Sequence, residues 1–310
     1  MSSALRKARR GLAQGLALAL AGWAARGGAR RVRQIGRAVG SLHWMLAWPF
    51  WGRLRRDVSR ALGVDRRRAS RILLGGARTN DGAIFEALTL ARPGADPQSL
   101  VDAVEIRNTG VLDDLAARGQ GAILLGMHMG NGILLAGKLA AQGRPAHLVF
   151  RDPRRMRPGY LEQCIAATGA TPIPLDRENP VRSFRHMLRV LTSGGLIFVL
   201  MDQASKQEGE IRSFLGKPQR TPTGVLKLAE RTGVPLVPID GLEREPNWVF
   251  TVREPLPRAD GLDATLDAVV AHMEGQVRER PALWSWHQRR WKRYHFDPSA
   301  PVSKESAPCR

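Results

Sequence analysis

Cysteine is almost missing: Cys164 and Cys309 are the only two in 310 residues. A pair so placed builds neither a disulfide framework nor a metal cluster. The LEQCIAATG surroundings of Cys164 read as a small buried hydrophobe on a helix, not as a nucleophile. No two histidines have zincin spacing, so no metal is expected. Neither a GxGxxG turn nor a Walker loop is present, and no cofactor is expected. Zinc fingers, RRM signatures and KH clamps are absent too, which removes nucleic acid from the expected partners. Long apolar runs are also missing. The best candidate, Leu12 to Ala25 broken only by Gln14, holds 14 residues. As a helix it would measure roughly 21 Å, short of a hydrocarbon core of about 30 Å.

Acid is scarce. Twenty-eight Asp and Glu face 48 Lys and Arg, of which 41 are arginine, for a net charge of +20. The excess is uneven: residues 1–70 carry 16 basic side chains against two acids, Asp57 and Asp65. Arginines bracket the 12–25 run on both sides, the pattern of an interfacial helix or a short tilted anchor. A signal peptide is the rival reading. A second amphiphilic stretch, LHWMLAWPFWGRLRR at 42–56, sets Trp44, Trp48 and Trp51 beside Arg53, Arg55 and Arg56. Tryptophan flanked by arginine suits the headgroup boundary, and Pro49 breaks any long helix there. Residues 1–75 are therefore read as a basic, membrane-associating helical region that favours anionic lipid.

From residue 76 the pattern changes. GAILLGMH, HLVF, GGLIFVLMD and VPLVPI are short apolar runs bounded by turn residues. Between them lie helical stretches: ILLAGKLAA, YLEQCIAATG, VRSFRHMLRVLTSG and GVLKLAERTG. Alternating strands and helices predict an α/β fold with a largely parallel central sheet flanked by helices over 76–296. The Pro- and Ser-rich tail, 297–310, reads as disordered.

ILLGMHMGNGILLAGKLAA is a strand, a tight turn and a helix, and it sets His128 at the carboxyl end of a strand, where open α/β sheets bind ligands. A neutral imidazole there can take a proton from an attacking hydroxyl. Backbone N–H groups of Gly130, Asn131 and Gly132 would face the same cleft and can stabilise an oxyanion. Asp202, with Gln203 beside it, closes another buried strand, where a carboxylate is costly unless paired. Arg151 closes a third and suits a phosphate or a developing negative charge. The other histidines carry less: His43 lies in the amphiphilic stretch, His147 begins a strand, and His186 and His272 sit on helices beside arginines in a solvated setting. His287 and His295 belong to a Trp/Arg block read equally as a domain-closing cluster and as a membrane-facing one.

Several blocks taken together resemble the lipid A biosynthesis acyltransferase family. HMGNG is similar to the family's HxGNW(E/D). LVFRDP at 148–153, the MDQ…SFLGKPQRTPTG…LAERTGVPLVPI segment at 201–239 and LWSWHQRRWK at 283–292 follow in the family's order. The resemblance covers about 12–296 and implies a glycerolipid-acyltransferase-like domain at 76–296, with membrane-associating helices before it. It implies O-acyl transfer from a thioester on acyl carrier protein or coenzyme A to a hydroxyl of a membrane lipid or glycolipid, lipid A-like, at the cytoplasmic face of a bacterial inner membrane. His128 would be the general base. Phe214, Gly216, Thr221 and Gly224, with Gly130, Asn131, Gly132 and Gln203, would shape the substrate site, and Arg151 and Asp202 would join the chemistry. The family's orienting acid falls at position 133, which here is Ile133. Asp202, then Asp152, are the candidates to replace it. A relative that binds acyl-lipid or carrier protein without turnover is the alternative reading.

Overall fold

In a computed structural model of the chain, the residues described are 15–144, 146–151, 156–176, 179–205, 208–244, 247–257 and 261–286. The leader 1–14, Asp152, His287, His295 and the tail 297–310 lie outside them. The chain is helical over 15–25 (α1), then runs α2 (Gly28–Leu46), a 3-10 turn (Trp48–Trp51), α3 (Gly52–Leu62), α4 (Arg66–Leu90) and α5 (Pro97–Asp102). There follow β1 (Val104–Arg107), α6 (Gly110–Ala117), β2 (Ala122–Gly126), α7 (Gly132–Ala141), β3 (Ala146–Phe150), α8 (Tyr160–Ala166) and β4 (Thr171–Pro174). The remainder is α9 (Pro180–Thr192), β5 (Leu196–Leu200), β6 (Glu210–Phe214), β7 (Lys217–Thr221), α10 (Gly224–Thr232), β8 (Leu236–Arg244), β9 (Asn247–Val252) and α11 (Leu262–Glu279).

Seven strands form one sheet in the order β1-β9-β8-β2-β5-β3-β4, parallel at every junction except the antiparallel pair β8–β9. Its centre, β2 and β5, is apolar without alternation because both faces are covered. Ile123, Leu125, Ile197 and Val199 point into one apolar layer, and Ala122, Leu124, Leu196 and Phe198 into the other. This is the mixed α/β architecture with a mostly parallel sheet that the apolar runs predict. The weaker strands are not legible in those runs. β1 (VEIR) is charged and β4 (TPIP) carries two prolines, and both are edge strands, where missing donors and polar side chains are tolerated. The hairpin β6–β7 stands apart from the main sheet.

The boundary expected at 75–76 falls inside α4, a single helix of 25 residues. Asp65 caps it by accepting a hydrogen bond from the Arg68 N–H. α2 lies across α4 through the stripe Val32, Arg33, Gly36 and Gly40. Glycine is needed at position 40, where a Cβ would overlap the Ala77 carbonyl. His43 on α2 reaches Asp81 on α4 at 2.6 Å, and that hydrogen bond holds its pKa above the ordinary imidazole value, against burial.

No helix among the described residues is long and apolar enough to cross a membrane. α1 buries Ala21 and Ala24 and turns Leu16, Leu20 and Trp23 outward. Leu42, Met45, Leu46 and Trp48 are likewise exposed, and Arg55 stacks over Trp48 at 3.9 Å. Trp44 and Trp51 instead pack with the main core.

Close packing of α2 on α4 predicts opposite outcomes for two glycines. Gly40→Ala should destabilise the protein by about 1–3 kcal/mol through overpacking. Gly275→Ala, on α11 with open space around it, should stabilise by up to about 1 kcal/mol through helix propensity. Thermal melts of the two variants read the result, and equal shifts would remove the close crossing.

Candidate active site

β2 and β5 are parallel neighbours in register, with Gly126 opposite Leu200. His128 lies two residues past the one and Asp202 two past the other. Strand spacing of about 4.8 Å therefore delivers both to the same level of the sheet's carboxyl edge. The Met201 N–H donates to the Gly126 carbonyl at 3.0 Å and carries the pairing one step beyond the strands. Past His128, Gly130 turns the chain with φ +105, a value that favours glycine. Asn131 then caps α7, its Oδ1 accepting from the Ile133 and Leu134 N–H groups at 3.2 and 3.4 Å.

The Asp202 carboxylate is 4% exposed and holds His128 twice. Its Oδ1 lies 2.7 Å from His128 Nδ1, and its Oδ2 accepts the His128 backbone N–H at 3.0 Å. Oδ2 also accepts from the indole Nε1–H of Trp284 at 2.8 Å. A carboxylate only accepts, so the Nδ1 beside it carries a proton and Nε2 is the acceptor nitrogen of the neutral ring. Nε2 faces the Gln203 side-chain nitrogen at 3.3 Å, and the imidazole side chain is 24% exposed. The pair thus has the arrangement of an oriented base: an anchored acid behind, a lone pair in front.

A strap at 281–286 holds this pair from the far side. Trp284 donates to Asp202, and the Ser285 N–H donates to the His128 carbonyl at 3.1 Å. The strap is fixed to α4 by Asn80, whose Nδ2 donates to the Leu283 carbonyl at 3.0 Å. Trp284 and Trp286 are 2% and 3% exposed and stack edge to face at a centroid distance of 4.7 Å.

A narrow cleft, reached by the neighbours of His128 in sequence, lies in the same apolar layer as Trp284 and Trp286. Met127, Met129, Met201, Met273, Val269 and Leu256 line it, an apolar and flexible wall. Asp240, His272 and Gln276 also line it. Burial pushes the Asp240 carboxyl up, but hydrogen bonds from His272 and Arg253 outweigh it and hold the pKa below the ordinary value. His272 therefore does not sit in the solvated, arginine-flanked setting expected for it: a buried carboxylate 3.1 Å away takes its ring.

His128, Asp202 and Gln203 come together, with Gly130, Asn131 and Gly132 in the adjoining turn. Arg151 follows β3 at the same sheet edge, exposed, two strands from β2, and no hydrogen bond or ion pair joins it to His128 or Asp202. Phe214 is fully buried and packs on Trp284, ring to ring at 5.5 Å. Gly216 forms the exposed tip of the β6–β7 hairpin, Thr221 is buried at its base, and Gly224 begins α10. Ile133 is half-buried against the apolar layer that includes Leu134 and Leu135. Two groups escape a reading of motifs. Trp284 and Ser285 lie in the LWSW block, which carries no hint that it reaches back to an aspartate 82 residues earlier. Glu86, 1% exposed, donates nothing and accepts from Asn131; its one signal is an acid inside the apolar run IFEALTL.

A family described as bacterial lipid A biosynthesis acyltransferase matches residues 28–293. Two curated proteins named phosphatidylinositol mannoside acyltransferase, from Mycobacterium tuberculosis strains CDC 1551 / Oshkosh and ATCC 25618 / H37Rv, are similar to the chain. Each is 27% identical over 186 residues, 58% of this chain and 57% of the relative. The match therefore spans under three fifths of those relatives' own length.

Trp284→Phe keeps an aromatic ring but deletes the N–H donor to a buried carboxylate together with part of the indole's volume. It should cost about 1–3 kcal/mol, read as a drop in thermal midpoint. An unchanged midpoint would mean that the indole N–H contributes nothing to holding Asp202.

Proposed function

The chain belongs to the bacterial lipid A biosynthesis acyltransferase family, and from that premise we propose that it is an O-acyltransferase whose base is His128 and whose orienting acid is Asp202. The 2.7 Å contact between Asp202 and His128 Nδ1 is the observation that carries this reading. In the proposed reaction, His128 Nε2 takes the proton of an acceptor hydroxyl while the hydroxyl oxygen attacks the thioester carbonyl. The backbone N–H groups of Gly130, Asn131 and Gly132 stabilise the tetrahedral oxyanion. Collapse forms the ester and breaks the C–S bond, and the leaving thiolate takes the proton back from the imidazolium. Asp202 stabilises that imidazolium and fixes the tautomer, the work that the family assigns to the residue at position 133. The methionine-lined cleft is too narrow for an acyl chain as it stands and would take one only by repacking, which flexible thioether side chains allow. Arg151, at the same sheet edge, suits a phosphate of the donor or the acceptor.

The donor in this reading is a thioester of acyl carrier protein or coenzyme A, and the acceptor is a membrane lipid or glycolipid. The glycolipid named for the mycobacterial relatives supports the second half. The protein would work at an anionic bilayer, the cytoplasmic face of a bacterial inner membrane, through the exposed Leu16, Leu20, Trp23, Leu42, Met45 and Leu46 and their flanking arginines. Ile133 favours a second reading, a relative that binds acyl-lipid or carrier protein without turnover.

Thiol release from acyl-carrier or acyl-CoA donors, with glycolipid vesicles as acceptor, separates the two. In an active enzyme His128→Ala should lower the rate by roughly 10²–10⁴ and Asp202→Ala by a comparable factor, with the fold intact by circular dichroism. Ile133→Glu should not raise it, because Asp202 already holds Nδ1 and the new carboxylate enters an apolar layer. A large gain with Ile133→Glu, or a native-like rate with His128→Ala, would sink the proposed pair.

Membrane docking has its own measurement. The full-length protein should co-sediment with anionic vesicles, less so as salt rises, and Leu42→Ser/Leu46→Ser should weaken the binding. Failure to bind anionic vesicles at low salt would overturn it.

A further inference from the structure

Behind the catalytic turn lies a buried charged group that no step above uses. α2 crosses α4 so closely at Gly36 and Gly40 that Arg33 comes to rest opposite Glu86. Both are buried: Arg33 is 5% and Glu86 1% exposed. Glu86 Oε1 lies 3.7 Å from Arg33 Nε, and the Arg33 guanidinium sits 4.1 Å above the Trp248 ring on β9. Glu86 Oε2 accepts from Trp248 Nε1 at 2.8 Å and from Asn131 Nδ2 at 2.9 Å. Asn131 Nδ2 also reaches the Ala83 carbonyl at 3.3 Å.

Both acceptors facing Asn131 from α4 are oxygens without a proton to give. The amide must therefore turn its NH2 end toward α4 and its Oδ1 toward α7. There Oδ1 accepts from the Ile133 and Leu134 N–H groups. A side chain whose two ends have nearly the same shape is locked in one of its two orientations by the chemistry of Glu86. Asn131 is three residues from His128 and sits in the turn that leads from it into α7. Any relaxation of this residue moves the base and the amide array together.

We infer that Glu86, with Arg33 as its counter-charge, is a positioning residue: it fixes the orientation of Asn131 and through it the geometry of the turn that carries His128. The role rests on the acyl-transfer reading of His128, but its structural half has a readout that needs no turnover. Truncating a buried partner leaves an uncompensated charge, so near-isosteric changes are the instructive ones. Glu86→Gln presents a carboxamide that can donate as well as accept, so the shortest of the contacts that orient Asn131 no longer selects one orientation, and only the longer bonds to the Ala83 carbonyl and from the Ile133 and Leu134 N–H groups remain.

Three measurements on the full chain test this. In Glu86→Gln, hydrogen exchange at the Ile133 and Leu134 amides should speed up relative to that of the β2 and β5 amides. The kcat should fall by roughly ten- to a hundredfold, the scale of a displaced catalytic group, with KM for the thioester within about threefold. In an Asn131→Ser background, which keeps a capping oxygen but drops the link to Glu86, adding Glu86→Gln should cost almost nothing more. A purely structural role would instead lower the folded fraction and leave kcat per folded molecule unchanged. Unchanged exchange at 133 and 134 overturns the proposal whether or not the protein turns over. Full additivity of Glu86→Gln and Asn131→Ser, or a native kcat in Glu86→Gln beside a dead His128→Ala, overturns it too. If Glu86→Gln does not fold, Asn131→Ser alone decides, and a native kcat there overturns the inference. A native rate in His128→Ala is the separate outcome that removes the acyl-transfer reading itself.

Discussion

The in-register pairing of β2 with β5 is the constraint on which the rest of the site depends. Two parallel strands that end together deliver His128 and Asp202 to one level, one strand apart. Slipping either strand by one residue would turn its whole side-chain set to the opposite layer, and the imidazole and the carboxylate would no longer meet. That register is secured by burial on both faces, since every residue of β2 is buried and Ala122 to Leu125 alternate between two apolar layers. A few hydrogen bonds then refine it: the Met201 N–H on Gly126, the Asp202 carboxylate on the His128 N–H, and the strap on both partners.

Much of the frame is legible along the chain because it depends on local pattern. The strands β2 and β5 are uninterrupted apolar runs, β3 and β8 contain the shorter runs LVF and LVPI, and the turn with Gly130 and Asn131 marks itself by residue type. The edge strands β1 and β4 are not legible, because charge and proline there reflect their exposed position more than their pairing. The helix α4 hides a boundary that composition suggests, since a change from basic to mixed sequence need not break a helix. For the site, the sequence points to His128 and names Asp202 before Asp152 as a candidate acid, but that Asp202 meets His128 follows from the register of two strands whose ends are 74 residues apart. Trp284 and Glu86 are invisible to motif reading for the same reason: each acts on the turn from a distant element. His272 is misjudged because neighbours in sequence, arginines on a helix, say nothing of a buried Asp240 across the fold.

Charge in this molecule has two separate lives. Among the described residues, arginine is concentrated at the surface of α3 and the start of α4, where Arg53, Arg56, Arg60, Arg66, Arg67 and Arg68 are exposed; there it costs little and sets the sign of the local field that a partner meets. A few charges are internal. Arg33 is buried with Glu86 and Trp248, and the buried Asp240 carboxylate is met by His272 and by the partly exposed Arg253. Groups of this kind contribute little net stability against an apolar replacement, yet they tolerate only one arrangement of donors and acceptors. Their place in the fold fits that property: they surround the loops whose geometry the chemistry requires, not the middle of the apolar layers.

The strap at 281–286 has a consequence in time. During synthesis the segment carrying His128 leaves the ribosome first, Asp202 follows 74 residues later, and Trp284 another 82 residues after that. Until the last arrives, the aspartate lacks its indole donor and the histidine carbonyl lacks the Ser285 N–H. Contacts of such long sequence separation form late and slowly. A nascent chain can therefore fold its amino-terminal helices while the His128–Asp202 pair is still unassembled, and the pair gains its last hydrogen bonds only when the fold has closed.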